Sequence, residues 1–388
     1  SLYAKGVNAW GWKLFPKEYR SFASPFVEAW RKEHIDEVRF YCYLQFIAKE
    51  QLEEAYLVAK KAGMIVGTYR DLAVGVAPGS CDVWSDEDGI YREKAEIGAP
   101  PDMLGPLGQS WGLAPMDPYS LKQSAYRKFI ALYQANMQSC GALRIDHAAG
   151  LYRMWWVPPE HRPTEGAYVA YPIHDLLGII ALESHRNKCM LIAEDLGTIP
   201  MELRHALKEA NTFSYKLFFG ERAFDGGYIA PKDYEKQAIS ALTTHDMPTL
   251  KGWWTLSDLT LGQKLGIYAP ADATRLAFDR NNAKQRILDS LHGLMSVGAE
   301  VPRHAADCPM SEALAVGMQI HMCRGSCALY SSQIEDWIGV EKPVNVPGTF
   351  REYPNWRRKL TANLDEIFSD PKVLELTAKM TQARDHAK

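Results

Sequence analysis

A chain of 388 residues, 47% hydrophobic and 23% charged with a formal net charge of −3, has the composition of a globular protein large enough for one big domain or two. The near-neutral balance excludes the basic footprint of a nucleic-acid binder or of a protein drawn to anionic membrane surfaces. No run reaches the roughly 18 apolar residues that a membrane span needs, and no signal-peptide pattern opens the chain.

The first segment, "YAKGVNAWGWKLFP", is loop-like, and the chain begins with Ser1 rather than methionine, which suggests a fragment. A helix is expected over 24–62, with Ser24 as N-cap, Pro25 in the first turn and Gly63 closing it. Val38, Tyr41, Leu44, Ala48, Leu52, Ala55, Tyr56 and Ala59 keep its helical period. "MIVGTYRDL" follows as a short buried strand ending at Asp71. Residues 72–118, rich in Gly, Pro, Asp and Trp, form a long irregular excursion of the kind that carries function. Leu121, Ala125, Phe129, Leu132, Tyr133 and Met137 trace a second amphipathic helix, ended by Gly141, which delivers the strand "ALRID". A helix over 174–187 leads to the strand "CMLIAEDLG". Another over 199–210, capped by Thr198 with Pro200 in its first turn, leads to "SYKLFF". "AISALTTHD" is the next strand, residues 255–325 are mostly helical, and "CALYSSQIEDW" supplies one more strand.

Short apolar strands alternating with amphipathic helices are parallel βα units. Neither Gly-x-Gly-x-x-Gly after the first strand nor a Walker A sequence occurs, which disfavours a nucleotide-binding doubly wound sheet. Polar residues gather where strands end: Asp71, Asp146, Glu194, His245 and Asp246. That is the pattern of an α/β fold of the (β/α)8 TIM-barrel type. Six such strands are readable where a barrel has eight, so the expectation is one catalytic barrel domain over 1–388, incomplete at its N-terminal side. Residues 72–118 would be its lid and 255–325 a helical insertion.

In "GALRIDHAAG" the two-residue period of a strand puts Arg144 and Asp146 on one face, an arginine braced against a carboxylate. Asp146 and Glu194 are 48 residues apart and Glu194 and Asp246 are 52 apart, gaps of one βα unit and then two. Two carboxylates flanking a bond are what glycoside chemistry requires: one attacks the anomeric carbon and the other manages the proton. Arg144 would keep Asp146 ionised, while Glu194, after "LIA", has the apolar approach that suits an acid holding its proton. Asp246 with His245 would grip sugar hydroxyls and favour an oxocarbenium-like transition state. The same residues with His147 could instead serve a metal-dependent barrel hydrolase. Against that stand the lack of an HxH or HExxH pair and an arginine that would repel a cation.

The cysteines, Cys42, Cys81, Cys140, Cys189, Cys308, Cys323 and Cys327, are scattered and odd in number. Most read as small buried hydrophobes in a reducing compartment, and the isolated pair Cys323–Cys327 as two buried thiols rather than a zinc site. Eleven tryptophans and nineteen tyrosines fit a core, and also the flat apolar surfaces with polar edges that sugars need.

"LRIDH", "IAEDLG" and "TTHDMPT", in this order, resemble the three catalytic segments of the amylomaltases, or 4-α-glucanotransferases, relatives of the α-amylases. "GAPPDMLGPLGQSWGLAPMDP" resembles their long glucan-covering loop, and "VNVPGTFREYPNWRRKL" their Asn-x-Pro-Gly-Thr…Asn-Trp segment. The likeness runs from about residue 24 to 362 and is nearest to the bacterial enzymes of maltodextrin utilisation. The resemblance implies Asp146 as nucleophile, Glu194 as general acid/base and Asp246 as transition-state stabiliser. It implies that Arg144 orients Asp146, that His245 holds sugar hydroxyls, and that Asp71 matches a strand-end aspartate of the family. Gln109 and Trp111 would sit in the loop over bound glucan, with Trp111 as a plain loop anchor the alternative. His147 would face either the site or the strand's flank. Met103 and Leu104 stand where many members have an aromatic pair, and Ala148 and Ala149 where many read Phe-Arg.

The expected activity is therefore transfer of α-1,4-glucan segments between maltodextrin donors and acceptors in the cytoplasm. It would follow a retaining double displacement with no metal or organic cofactor. A retaining α-glucan hydrolase and a catalytically incomplete glucan-binding fragment are the alternatives, and an open barrel would favour self-association.

Overall fold

The computed structural model describes residues 11–101, 107–349 and 351–385, in two compact units that meet in sequence between Phe213 and Ser214. In chain order the first unit holds α1 (Pro25–Glu33), α2 (Ile35–Lys61), β1 (Tyr69–Leu72), α3 (Cys81–Trp84), β2 (Glu96–Ala99) and β3 (Gln109–Ser110). It continues with α4 (Pro118–Gln123), α5 (Arg127–Met137), β4 (Ala142–Ile145), β5 (Arg153–Val157), β6 (Ala167–Ala170), α6 (Ile173–Asn187), β7 (Met190–Ala193) and α7 (Met201–Glu209). Parallel strands in the order β1-β4-β7 form its central sheet, with Asp71 opposite Arg144 and Arg144 opposite Ile192. Leu143 and Ile145 of β4, Leu191 of β7, Leu176 and Ile180 of α6 and Leu203 of α7 are all buried in one core. Each contributes about 2 kcal/mol by leaving water. Gly141 opens β4 because a Cβ there would lie 1.6 Å from the Val66 carbonyl oxygen, where only glycine fits.

Several expectations are corrected here. The helix over 24–62 starts as read, Ser24 accepting from the Phe26 N–H, but it breaks at His34, whose backbone (φ −110°, ψ 34°) leaves helical space. No residue of α2 is buried; Phe40, Phe46, Leu57 and Val58 are each more than half exposed, so its apolar period is not covered by the described residues. "MIVGTYRDL" shrinks to β1, and of that strand Leu72 alone is buried, because β1 is an edge of the described sheet. Asp71 accordingly sits within the strand rather than at its end. The second helix divides at Ala125 and Tyr126, both at positive φ, into α4, capped by Asp117, and α5. Pro200, not Thr198, is the N-cap of α7, without a side-chain cap bond.

The excursion at 72–118 is not wholly irregular. Its β2 and β3 join β5 and β6 in an antiparallel sheet ordered β3-β2-β5-β6. The pieces "EIGA" and "QS" are too short and too glycine-rich or polar to show alternation. Met103 and Leu104 lie outside the described residues.

The second unit holds β8 (Ser214–Leu217), β9 (Ala238–Ala241), α8 (Leu250–Thr255), α9 (Ser257–Lys264), α10 (Pro270–Gly293), α11 (Glu312–Cys323), β10 (Leu329–Ser331), α12 (Ile334–Trp337), α13 (Leu364–Ser369) and α14 (Pro371–Asp385). Its parallel sheet runs β10-β9-β8. Leu250, Trp253 and Trp254 of α8 pack with Ile287 and Leu291 of α10 and with Leu314 and Met318 of α11. The helical reading of 255–325 agrees with α9 to α11, whereas "CALYSSQIEDW" divides into β10 and α12. All six expected parallel strands are thus present, three in each unit.

Cys140, Cys189, Cys308, Cys323 and Cys327 are buried, Cys42 and Cys81 exposed, and all seven are free thiols. Burial pushes Cys323 up to about 12 and Cys327 up to about 11. Among the described residues no helix is long and apolar enough to cross a membrane.

Candidate active site

In the first unit the chemistry collects just beyond the central sheet. Leu143 and Ile145 turn into the core, so Arg144 points to the other side of β4, and Asp146 is the first residue past the strand. One guanidinium nitrogen, Arg144 Nη1, donates to Asp146 Oδ1 at 2.8 Å and to Asp71 Oδ1 at 2.7 Å. Burial works against the charge of Arg144, but Asp146, Asp71 and Glu194 outweigh it and hold the guanidinium above its ordinary range. The arginine is thus a half-buried cation shared by two more exposed aspartates.

Glu194 is the first residue past β7. Its N–H donates to the Ile145 carbonyl at 3.0 Å and its own carbonyl accepts from the Ala148 N–H at 3.1 Å, which ties it to the turn after β4. Its Oε2 accepts from the His147 N–H at 3.0 Å. Burial pushes the carboxyl from an ordinary 4.5 up to about 8; Arg144 and the His147 N–H pull against this, while Asp146 and Asp195 add to it. Glu194 therefore carries a proton at neutral pH.

His147 takes left-handed backbone angles (φ 45°, ψ 55°), which cost a non-glycine residue on the order of 1 kcal/mol. That turn is what aims its N–H at Glu194. Burial lowers the affinity of its ring for a proton, against the pull of Asp146. The ring meets Trp111 edge-on, centroids 5.1 Å apart. Trp111 Nε1 in turn donates to Gln109 Oε1 at 3.0 Å, and the Trp111 N–H is anchored on the Ile97 carbonyl of β2. The two residues expected of the covering loop are thus joined through His147 to Glu194. Of the two orientations left open for His147, the ring takes the one toward Trp111.

In the second unit β9 ends at Ala241, four residues short of His245, so the "THD" triplet lies on the turn that follows and not on the strand. His245 Nε2 lies 3.1 Å from Asp246 Oδ2. Asn345 Nδ2 donates to Asp246 Oδ1 at 2.7 Å, and the indole of Trp356 lies 5.4 Å from the His245 ring. Asn345 and Trp356 belong to a strap that closes on itself: the Trp356 N–H donates to the Val344 carbonyl, and Asn355 bonds the Val346 N–H and the Thr349 carbonyl. Neither Asn345 nor Trp356 is a candidate from the strand-end pattern. The signal that points to them is the "VNVPGTFREYPNW" stretch itself, with two asparagines and a tryptophan in a segment lacking helical or strand period.

The structure thus brings Asp71, Gln109, Trp111, Arg144, Asp146, His147 and Glu194 together in one unit, and His245 and Asp246 together in the other. No group of three His, Cys, Asp or Glu side chains among the described residues is disposed to hold a metal ion.

The family model described as 4-alpha-glucanotransferase matches residues 2–365. A 4-alpha-glucanotransferase of Haemophilus influenzae is 38% identical over 379 residues, covering 97% of this chain and 54% of the relative. One from Mycobacterium tuberculosis is 33% identical over 383 residues, covering 96% and 52%. The chain spans about half the length of the curated relatives it matches. Among solved structures, amylomaltase from Corynebacterium glutamicum superposes with a TM-score of 0.82 at 27% identity, covering 90% of this chain and 50% of that one. Amylomaltase from Streptococcus agalactiae, solved in complex with acarbose, matches in fold with a TM-score of 0.69 at 19% identity, over 92% of this chain and 65% of that one. The α/β fold is that of the amylomaltases, and the chain belongs to the 4-alpha-glucanotransferase family.

Proposed function

We propose that the protein to which this chain belongs transfers α-1,4-glucan segments between maltodextrins by a retaining double displacement. The observation that carries the reading is the contrast between two carboxyl groups beyond neighbouring parallel strands. Asp146 is paired with a half-buried arginine, and the partly buried Glu194 is pushed up to about 8, so that it holds its proton at neutral pH. In the first step Asp146 forms a bond to the anomeric carbon while the bond to the departing O4 breaks, and Glu194 delivers its proton to that oxygen. In the second, the 4-hydroxyl of an acceptor gives its proton to Glu194 and displaces Asp146. Asp246 stabilises the oxocarbenium-like transition state, with His245 holding sugar hydroxyls. Arg144 orients Asp146 and is itself held by Asp71, which matches a strand-end aspartate of the family. The 72–118 lid, with Gln109, Trp111 and His147, favours a sugar acceptor over water at the covalent intermediate. The cycle needs no metal or organic cofactor.

The same reading takes the six parallel strands as six of the eight of a β/α barrel forming one catalytic domain over 1–388, with 255–325 as an insertion. Free thiols throughout fit a cytoplasmic protein. The exposed apolar side chains on α2 favour self-association. The test is incubation with maltotriose followed by chromatography. Glucose with a ladder of longer maltodextrins, abolished by Asp146→Asn, is expected. Glucose and maltose without longer products would mean hydrolysis, and a folded but inert sample would identify this chain as an incomplete barrel, to be decided by a repeat with the upstream segment restored.

A further inference from the structure

Resting on that reading, the geometry points to Asp336 as a positioning residue for Asp246, acting through a clamp on both ends of the turn that carries it. The connection leaves β9 after Ala241 and enters α8 at Leu250, and Thr243, Thr249 and Leu250 along it are all buried. Asp336, itself buried in α12, joins the two ends: Thr243 Oγ1 donates to its Oδ2 at 2.5 Å, and the Leu250 N–H donates to its Oδ1 at 2.7 Å. One carboxylate therefore sets the span across which residues 244–249 must bridge.

Two neighbours complete the clamp. Gln333 Nε2 donates to Thr243 Oγ1 at 2.6 Å and to the Thr244 carbonyl at 3.1 Å, which holds the backbone two residues before Asp246. Thr249 Oγ1 donates to the Glu341 carbonyl at 3.0 Å while accepting from the Gly252 N–H as the cap of α8. The hydroxyl of Thr243 donates to Asp336 and accepts from Gln333, so its single proton is committed to the carboxylate.

A buried carboxylate left without these donors would bear an uncompensated desolvation cost, so the arrangement has little freedom to relax. Asp336 acts on where the turn runs, through its bonds to Thr243 and the Leu250 N–H. Misplacing a reacting group by about 1 Å costs roughly 100-fold in rate, which sets the scale of the expected effect.

The test compares Thr243→Ala, Thr243→Ser and Asp336→Asn with the parent chain, by maltotriose kinetics and by amide hydrogen exchange. Thr243→Ala and Asp336→Asn are expected to lower kcat roughly 10- to 100-fold with KM within about 3-fold, and Thr243→Ser to restore the parent value. Amides of residues 244–249 should exchange faster in the two damaging variants while β9 stays protected. Unchanged exchange in a folded Thr243→Ala variant overturns the clamp, and faster exchange with undiminished kcat overturns its role in catalysis. If the parent chain itself fails to transfer, the kinetic arm is run on a chain with the upstream segment restored, and failure there as well sinks the glucanotransferase reading. The exchange arm alone then decides whether the clamp exists.

Discussion

Asp146 and Asp246 are held by different physics. Asp146 stands one residue past a strand and is paired with a half-buried guanidinium that also holds Asp71. Asp246 lies on a turn, its carboxylate bonded by a neutral amide from Asn345 and an imidazole from His245. The first arrangement fixes a carboxylate with a guanidinium from the adjoining strand, which also holds a second carboxylate. The second holds one with an amide and an imidazole on a long connection, where the path of the backbone sets its position. Removing a charge should therefore damage the first cluster most, and loosening backbone the second.

The largest expected effect comes from Asp146→Asn, which removes the attacking carboxylate and should lower kcat/KM for maltotriose on the order of 10⁴-fold or more. Glu194→Gln should follow at about 10²- to 10⁴-fold. An aryl α-glucoside with a good leaving group should separate the two, because its first step no longer needs the proton: Glu194→Gln should release the aryl group in a burst and Asp146→Asn should not.

Arg144→Ala tests the charge-based side directly. It leaves Asp71 and Asp146 facing each other without their cation, and should cost about 2 kcal/mol in urea unfolding and about 10²-fold in kcat. Equal losses from Arg144→Lys would show that the geometry of the fork matters more than the charge.

The titration of Glu194 sharpens the comparison further. Its folded-state value near 8 lies above the ordinary 4.5, so the folded protein binds the extra proton between those limits. Its contribution to stability is fully present below about 4.5, falls as pH rises toward 8, and is gone above it. Urea midpoints for the parent and Glu194→Gln should diverge across that window, the variant lacking this slope. Activity should fall on the alkaline side near pH 8, as the proton donor is lost. The smallest effect belongs to Asn345→Ala, about 10-fold in kcat with unchanged stability, because His245 still bonds Asp246. A loss as large as that of Asp146→Asn would break the distinction drawn between the clusters.

The pairing of Arg144 with Asp146 is legible in the sequence because the two-residue period of a strand is rigid. Joining Asp71 to the same arginine is not, since that depends on the register of β1 against β4, which is set by packing and by Gly141 rather than by anything local. The six parallel strands are readable from apolar runs. β5 and β6 are not: "RMWWV" and "AYVA" lack clean alternation, and β5 also pairs with β2, over fifty residues upstream. Trp111 and Gln109 reach His147 only because that antiparallel sheet folds the excursion back. Asn345 and Trp356 depend on a strap held by its own asparagine, a tertiary closure with no period to betray it.

The bare flank of α2 carries a further consequence. Most helices in globular proteins owe their persistence to what they pack against, and this one, 27 residues long, buries none of its side chains among the described residues. Among the described residues its tertiary support is limited to partial contacts such as those of Tyr56 and Lys60 with the segment around Gly67, so its own hydrogen-bond ladder carries more of its persistence. Its amides should therefore open at far lower free energy than those of the buried β4 and β7, and limited proteolysis should nick the chain within 35–61 long before it reaches the carboxylates.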